Sequence, residues 1–278
     1  VQVFTVHTGN FKLDGGAMFG VVPKSIWNKI NPADENNMCS WAMRCLLIQD
    51  GKRNILIDNG IGNKQDEKFF SYYYLHGENS LDSSLKKIGI SRADITDVVL
   101  THLHFDHCGG SIERNSEGNL VPAFPNATYW SNSDHWQWAT HPNPREKASF
   151  LKENILPIQE SGQLKYLKKG ENLTDNISFE WVYGHTEAMM LPVTKFKGRT
   201  LMFMADLIPS AGHVPLPYIM AYDMRPLETL SEKERILGKL ADENGILFME
   251  HDPLVECVTV ERTDKGFRVK DKFKLNEI

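Results

Sequence analysis

The sequence predicts an α/β fold of two β-sheets flanked by helices, on three observations. Short β-branched and apolar runs closed by turn residues open the chain, a second set of such runs fills its C-terminal half, and segments with helical apolar faces interleave with both. No repeat, low-complexity stretch or Pro/Gly/Ser-rich linker divides the 278 residues, so a single domain over 1–278 is expected. With 41% hydrophobic and 24% charged residues the chain has material for a sizeable core, which excludes disorder and small stapled scaffolds.

The first strands are expected at Val1 to Val6, Trp41 to Ile48, Asn54 to Asp58 and Asp97 to Thr101, with Asp50-Gly51 and Asn59-Gly60 as turns. The second set comprises Leu164 to Leu167, Ser178 to Val182, Leu191 to Phe196, Thr200 to Met204, Ile246 to Met249 and Glu256 to Val260. Lys197-Gly198 reads as a hairpin turn within it. Helices are expected at Leu81 to Ile88 and Pro144 to Ile155. A third carries Leu230, Ile236, Leu237 and Leu240 on one face, with Ser231 and Glu234 spaced as a capping box and Gly245 as its stop.

Charge and composition narrow the partners. Lys and Arg number 31 against 36 Asp and Glu, a net charge of -5, so the chain has no electrostatic footprint for nucleic acid. No apolar stretch approaches the roughly 20 residues that cross a bilayer, which argues against a membrane partner. Cys39, Cys45, Cys108 and Cys257 form no C-x-x-C pair and read as free thiols of a reducing compartment, so a cytoplasmic location is expected. The sequence starts at Val1 rather than at a methionine, and a removed leader with a secreted form stays open.

The segment that carries chemistry is Thr101-His102-Leu103-His104-Phe105-Asp106-His107-Cys108-Gly109-Gly110, directly after a predicted strand. Alternation in extended chain sends His102 and His104 to one side, and a turn beyond them brings Asp106 and His107 back toward the same point. Three imidazoles beside a carboxylate suit a borderline divalent ion, zinc first, with iron, manganese or cobalt as alternatives.

These residues resemble the H-x-H-x-D-H signature of the metallo-β-lactamase superfamily, and more closely its lactonase-like metallohydrolases, among them bacterial N-acyl homoserine lactonases. The resemblance implies an αβ/βα sandwich of two mixed β-sheets flanked by helices, with two divalent metal ions at the sheet edges. It also asks for a later histidine after a strand, an aspartate ending another strand and a last histidine near the C-terminus. His185, Asp206 and His251 each follow a strand-like run and meet that pattern, so the resemblance spans residues 102 to 251. By resemblance, His102, His104 and His185 hold one ion, Asp106, His107 and His251 the other, and Asp206 bridges. The physical logic agrees, because divalent cations about 3.5–4 Å apart repel and need a shared carboxylate and hydroxide between them.

Ligand identities prune the family. A bridging aspartate is absent from the true β-lactamases, and the diiron oxidoreductase branch has an acidic residue where this chain has His104. The phosphodiesterase branch adds a basic RNA-binding arm that is not seen here. The chain departs from many relatives after His185, with Glu187-Ala188-Met189-Met190 in place of Pro-Gly. It also has Pro209 where N-acyl homoserine lactonases commonly place a tyrosine three residues after the bridging aspartate.

The expected activity is therefore dinuclear metal-dependent hydrolysis of a lactone or carboxylic ester, best an N-acyl homoserine lactone, by attack of a metal-bridging hydroxide. Asp106 and Asp206 are its candidate catalytic residues, Asp106 passing a proton to the leaving alkoxide. Tyr218, Tyr222, His213, Met189, Phe69 and Phe70 are candidate substrate contacts, in a cleft whose apolar side chains suit an acyl or aryl group. The aromatic run Phe69 to Tyr74 is equally a candidate homodimer contact. Alternatives are a phosphotriesterase-like hydrolase of aryl phosphoesters, a glyoxalase II-like thioesterase and, outside enzymes, a metal-binding ligand sensor.

Overall fold

The computed structural model describes residues 1–278. The strands β1 (Gln2–Asp14), β2 (Met38–Asp50), β3 (Arg53–Ile57) and β4 (Asp97–Val99) begin the first sheet. After a small ribbon of β5 (Ile112–Arg114) and β6 (Leu120–Pro122), β7 (Thr128–Ser131) and β8 (Leu164–Tyr166) complete it. Its order is β1-β2-β3-β4-β7-β8, antiparallel between β2 and β3 and parallel from β3 onward. The second six-stranded sheet contains β9 (Ile177–Val182), β10 (Met189–Phe196), β11 (Arg199–Phe203), β12 (Ile246–Phe248), β13 (Cys257–Thr263) and β14 (Gly266–Phe273). It is mixed, with β11 and β12 parallel and its other described pairs antiparallel.

The chain divides into two compact units. One comprises Val1–Gly9, Met43–Tyr72 and Gly77–Phe179; the other comprises Asn10–Ala42, Tyr73–His76 and Glu180–Ile278. In the first, Leu47, Leu56, Val98 and Tyr129 from the strands bury with Leu85, Trp136, Ile155 and Ile158 from helices Leu81–Ile88, Ser133–Thr140 and Lys152–Glu160. Helix Leu81–Ile88 forms where expected: Ser80 and Ser83 exchange side-chain and backbone hydrogen bonds at its start, and Gly89 takes the left-handed conformation at its end. In the second unit, helix Pro226–Asp242 packs against β13 and buries Ile236, Leu237 and Leu240.

Three local expectations are corrected, and one helix went unpredicted. Leu164–Tyr166 pairs with β7 at the edge of the first sheet instead of joining the later strands. The helix expected over 144–155 is only a turn at Lys147–Ser149 before the helix Lys152–Glu160. Asn143 accepts from the backbone N–H of Arg145 and Glu146, folding this stretch into a side-chain-capped turn. Ser231 and Glu234 lie inside their helix, which starts with Pro226 in its first turn, where the missing N–H costs nothing. Helix Ser133–Thr140 was not foreseen, although Asn132 caps it by accepting from the His135 N–H. The hairpin at Lys197-Gly198 forms, both residues at positive φ, with Phe196 facing Arg199. All four cysteines are buried free thiols. No helix is long and apolar enough to cross a membrane.

Asp97 ties three neighbouring strands of the first sheet together. Its carboxylate receives two bonds from Arg53 of β3, one from the Trp130 indole of β7 and one from Thr96. Burial works to raise its pKa, but these donors outweigh it and hold the carboxyl below its usual value. Its stabilisation is therefore present above the ordinary carboxylate range and lost as pH falls through the depressed folded value. Asp97→Asn should lower the urea unfolding midpoint at pH 7, and the gap from wild type should narrow once pH drops below about 4. An unchanged gap across an acid titration would remove Asp97 from this role.

Candidate metal centre

In the first unit, the chain leaves β4 extended through Thr101 to Leu103 and then makes one helical turn, Phe105–Cys108, whose Cys108 N–H returns to the His104 carbonyl. This turn brings Asp106 and His107 back beside His102. The His102 ring centroid lies 4.5 Å from that of His104 and 3.9 Å from that of His107, and the His107 Nε2 is 3.7 Å from an Asp106 oxygen. All four side chains are buried. Gly109 and Gly110 let the turn sit directly on residues 59–61: a Cβ on either would stand 2.1 Å from the Ile61 carbonyl or 2.3 Å from that of Asn59.

Each imidazole is aimed by its outer nitrogen. Asp58 accepts from the Thr101 N–H, the Thr101 hydroxyl and the His107 Nδ1–H, while Thr101 in turn accepts from the His102 Nδ1–H. Glu146 accepts from the His104 Nε2–H at 3.0 Å and from the Trp138 indole at 2.6 Å. Carboxylates only accept, so these bonds fix the tautomers and leave the lone pairs of His102 Nε2 and His104 Nδ1 facing each other at 3.1 Å. Converging lone pairs repel unless a cation lies between them, and outer carboxylates that orient imidazoles are the usual surroundings of metal-ligating histidines.

The second unit repeats the device. His185 follows β9, Asp206 follows β11 and His251 follows β12, and all three are buried. The His185 Nδ1–H donates to Asp223 at 2.8 Å and the His251 Nδ1–H to the Ala42 carbonyl at 2.7 Å. Their inner nitrogens meet one carboxylate: Asp206 sets one oxygen 3.1 Å from His185 Nε2 and the other 3.1 Å from His251 Nε2. Burial opposes charge on His185, yet Asp206 and Asp223 outweigh it and push its pKa up to about 10. The field at this point thus favours a cation. Asp206 is delivered by Ala205, a non-glycine residue at φ 42°.

In both units the donor sets therefore fit divalent ions in type, tautomer and charge. Sequence reasoning missed the carboxylates that aim them, Asp58, Glu146 and Asp223. Asp58 alone had a local signal, an acid ending a strand before Asn59-Gly60.

The candidate substrate contacts fall in varied surroundings. In the first unit Phe69 meets Phe105 of the metal motif edge-on at 5.4 Å and Phe70 at 5.6 Å, and both phenylalanines are half-buried. In the second, Met189 is fully buried, Tyr218 is half-buried with its edge to Phe19, and Tyr222 is exposed. His213 is a packed core residue: it stacks on Phe19 at 4.5 Å, accepts at Nδ1 from the Ser210 hydroxyl and donates from Nε2 to the Met18 carbonyl. Burial drives its pKa down to about 3, so it is a neutral wall. Pro209 offers no hydroxyl, and its carbonyl instead accepts the His251 N–H at 3.0 Å.

The model of the metallo-beta-lactamase superfamily matches residues 44–251. The chain belongs to this superfamily. An N-acyl homoserine lactonase, AiiA, of Bacillus thuringiensis subsp. kurstaki is 22% identical over 249 residues, covering 82% of this chain and 87% of the relative. An N-acyl homoserine lactonase of Bacillus cereus is 25% identical over the same shares. Among solved structures, a probable metal-dependent hydrolase from Staphylococcus aureus superposes with a TM-score of 0.89 at 28% identity, over 98% of this chain and 96% of that one. AidC, a dizinc quorum-quenching lactonase solved with a product, superposes at 0.81 and 22% identity over 99% and 95%. The expected fold class, two mixed sheets with helices in a metallo-β-lactamase fold, is the one these structures share. This superfamily member resembles metal-dependent hydrolases of the lactonase kind, and its His/Asp clusters support divalent metal binding.

The aiming carboxylates give a test that spares the fold. Asp58 sits at φ 55°, a conformation asparagine also tolerates, so Asp58→Asn should fold. Its metal affinity, read by chelator competition, should fall about 10–100-fold. Unchanged affinity would mean that Asp58 serves the fold alone.

Proposed function

We propose that this metallohydrolase acts as one hydrolase domain holding two divalent ions, zinc first among them, and opens lactones, best an N-acyl homoserine lactone. The observation that carries the two-ion reading is Asp206, which turns one oxygen toward His185 and the other toward His251. A carboxylate engaged on both oxygens is suited to bridging. His102, His104 and His185 would hold one ion, Asp106, His107 and His251 the other, and Asp206 both.

Bound there, the ions would supply Lewis acidity and a water acidified to ionise near neutrality. The residues contribute the rest. Asp106, 7% exposed beside His107, would take the remaining proton of the attacking water as the carbonyl is added to and pass it to the leaving alkoxide as the acyl C–O bond breaks. Half-buried Phe69 supplies apolar surface for an acyl chain, and Tyr218 and Tyr222 offer hydroxyls, whereas fully buried Met189 packs in the core and does not meet substrate. The lactonase relatives and the product described in the AidC structure support this substrate class over phosphoesters and thioesters. Ring opening adds water across the ester and yields an alcohol and a carboxylate, so one proton is released per turnover at pH 7.

The test is proton release on adding a long-chain N-acyl homoserine lactone to metal-loaded protein, with Asp206→Asn as control. Rapid acidification in wild type and its loss in the variant are expected. No acidification with two ions bound per chain would sink the lactone reading and direct the search to phosphotriesters and thioesters. At full metal content, Asp106→Asn should slow turnover by about 10²-fold or more, and turnover at the wild-type rate would take Asp106 out of the proton path.

A further inference from the structure

Helix Pro226–Asp242 contains a lysine that neither the metal centre nor the fold's ion pairs use. Lys233 is fully buried, and its Nζ donates to the carbonyls of Pro215, Leu216 and Tyr218 at 2.9, 3.3 and 2.8 Å. Three N–H bonds meet three carbonyls, so the ammonium is matched in number by main-chain acceptors. Burying an ammonium is costly, and a methionine would fill the same volume without that cost. What the lysine alone provides is a grip on the backbone of the segment 215–218.

That segment continues into Tyr218, Tyr222 and Asp223. Asp223 accepts from His185, and the next residue, Met224, donates its N–H to the His185 carbonyl. On the same helix, the neighbouring Glu232 accepts from the backbone N–H groups of Tyr183 and Gly184, immediately before His185. The helix comes so close here that a Cβ on Gly184 would stand 2.3 Å from Thr229. Two adjacent side chains of opposite charge therefore hold two different segments: Glu232 the turn that delivers a metal ligand, Lys233 the stretch that carries the candidate tyrosines.

We propose that Lys233 is a positioning residue that fixes Pro215–Tyr222 as the wall against which the acyl part of the substrate binds. The proposal rests on the lactone reading above for the identity of the substrate, and on the geometry alone for the grip. Burial, opposed by the nearby Asp223, draws the Lys233 pKa down to about 7, so the grip rests on the three carbonyl contacts and not on a strongly held charge. The wall is preorganised, so losing the grip weakens substrate binding more than the chemical step.

The experiment compares metal-loaded wild type, Lys233→Met and Lys233→Arg by amide hydrogen exchange and by steady-state kinetics. In Lys233→Met, exchange protection should fall about tenfold or more over residues 214–223 while the amides of β12 keep theirs. KM for a long-chain N-acyl homoserine lactone should rise about tenfold with kcat within about threefold and metal content unchanged. Lys233→Arg, which keeps charged donors, should recover part of the protection and of the KM, and it carries the test if the methionine variant does not fold. Unaltered exchange over 214–223 overturns the grip. Altered exchange with unaltered KM, or a fall in kcat and metal content at constant KM, overturns the wall. If wild type opens no lactone, the lactone reading fails by itself, and the KM comparison is made with an aryl ester.

Discussion

Everything in the centre depends on how the imidazoles are aimed. A neutral histidine has one nitrogen that donates and one that accepts, and only the accepting one serves a cation. In each unit the donating nitrogen is spent on a fixed acceptor: Glu146 for His104, Asp58 for His107, Asp223 for His185 and the Ala42 carbonyl for His251. His102 reaches Asp58 through the Thr101 hydroxyl. With those bonds made, the remaining nitrogens point inward whether or not a metal ion is there to receive them. Converging lone pairs and buried carboxylates are unfavourable alone, and a divalent charge offsets both at once.

Holding such a set costs backbone strain, and the strain sits beside the ligands. Asp58 and Ala205 are non-glycine residues in the left-handed region, one aiming His107, the other preceding Asp206. Gly109 and Gly110 permit a main-chain approach that any Cβ would block. The surrounding sheets over-determine these conformations: Asp58 is bonded through its own N–H to the Val99 carbonyl, and the Met204 N–H to that of Phe248. The ligands thus emerge from strand ends whose register is set by the neighbouring strands, so their placement inherits the rigidity of the sheets.

The same reasoning separates what the sequence made legible from what it hid. His102, His104, Asp106 and His107 lie within six residues, so strand alternation plus one turn was enough to bring them together on paper. The β10–β11 hairpin and helix Leu81–Ile88 were likewise written in local signals, Lys197-Gly198 and the Ser80 cap. Asp58, Glu146 and Asp223 are 49, 42 and 38 residues from the histidines they orient, and no local pattern encodes such a pairing. Ser231 and Glu234 misled because a capping box is a weak local preference, whereas Pro226 fixes φ and carries no N–H to leave unpaired. β14 went unread since its Lys and Arg residues face solvent at the sheet edge, where charge guards against strand addition and conceals the alternation.

The segment proposed to contact substrate is a different kind of structure from the strand ends that carry the candidate metal ligands. Metal ligands need a few atoms at defined points, and those come from strand ends. The segment from Pro209 to Asp223 contains no strand and no long helix, so its shape depends on side chains that tie it down one at a time. His213 does so by stacking on Phe19, which stacks in turn on Trp27 at 5.6 Å, and Lys233 does so by binding three carbonyls. Ala221 adds a main-chain bond to the Ala17 carbonyl. A segment built this way can change shape through substitutions that leave every metal ligand in place. Pro209 illustrates the point, since it gives up a side-chain hydroxyl while its carbonyl still supports His251. On the proposed reading, substitutions in this segment would alter substrate choice while the sheet-borne ligands stay where they are.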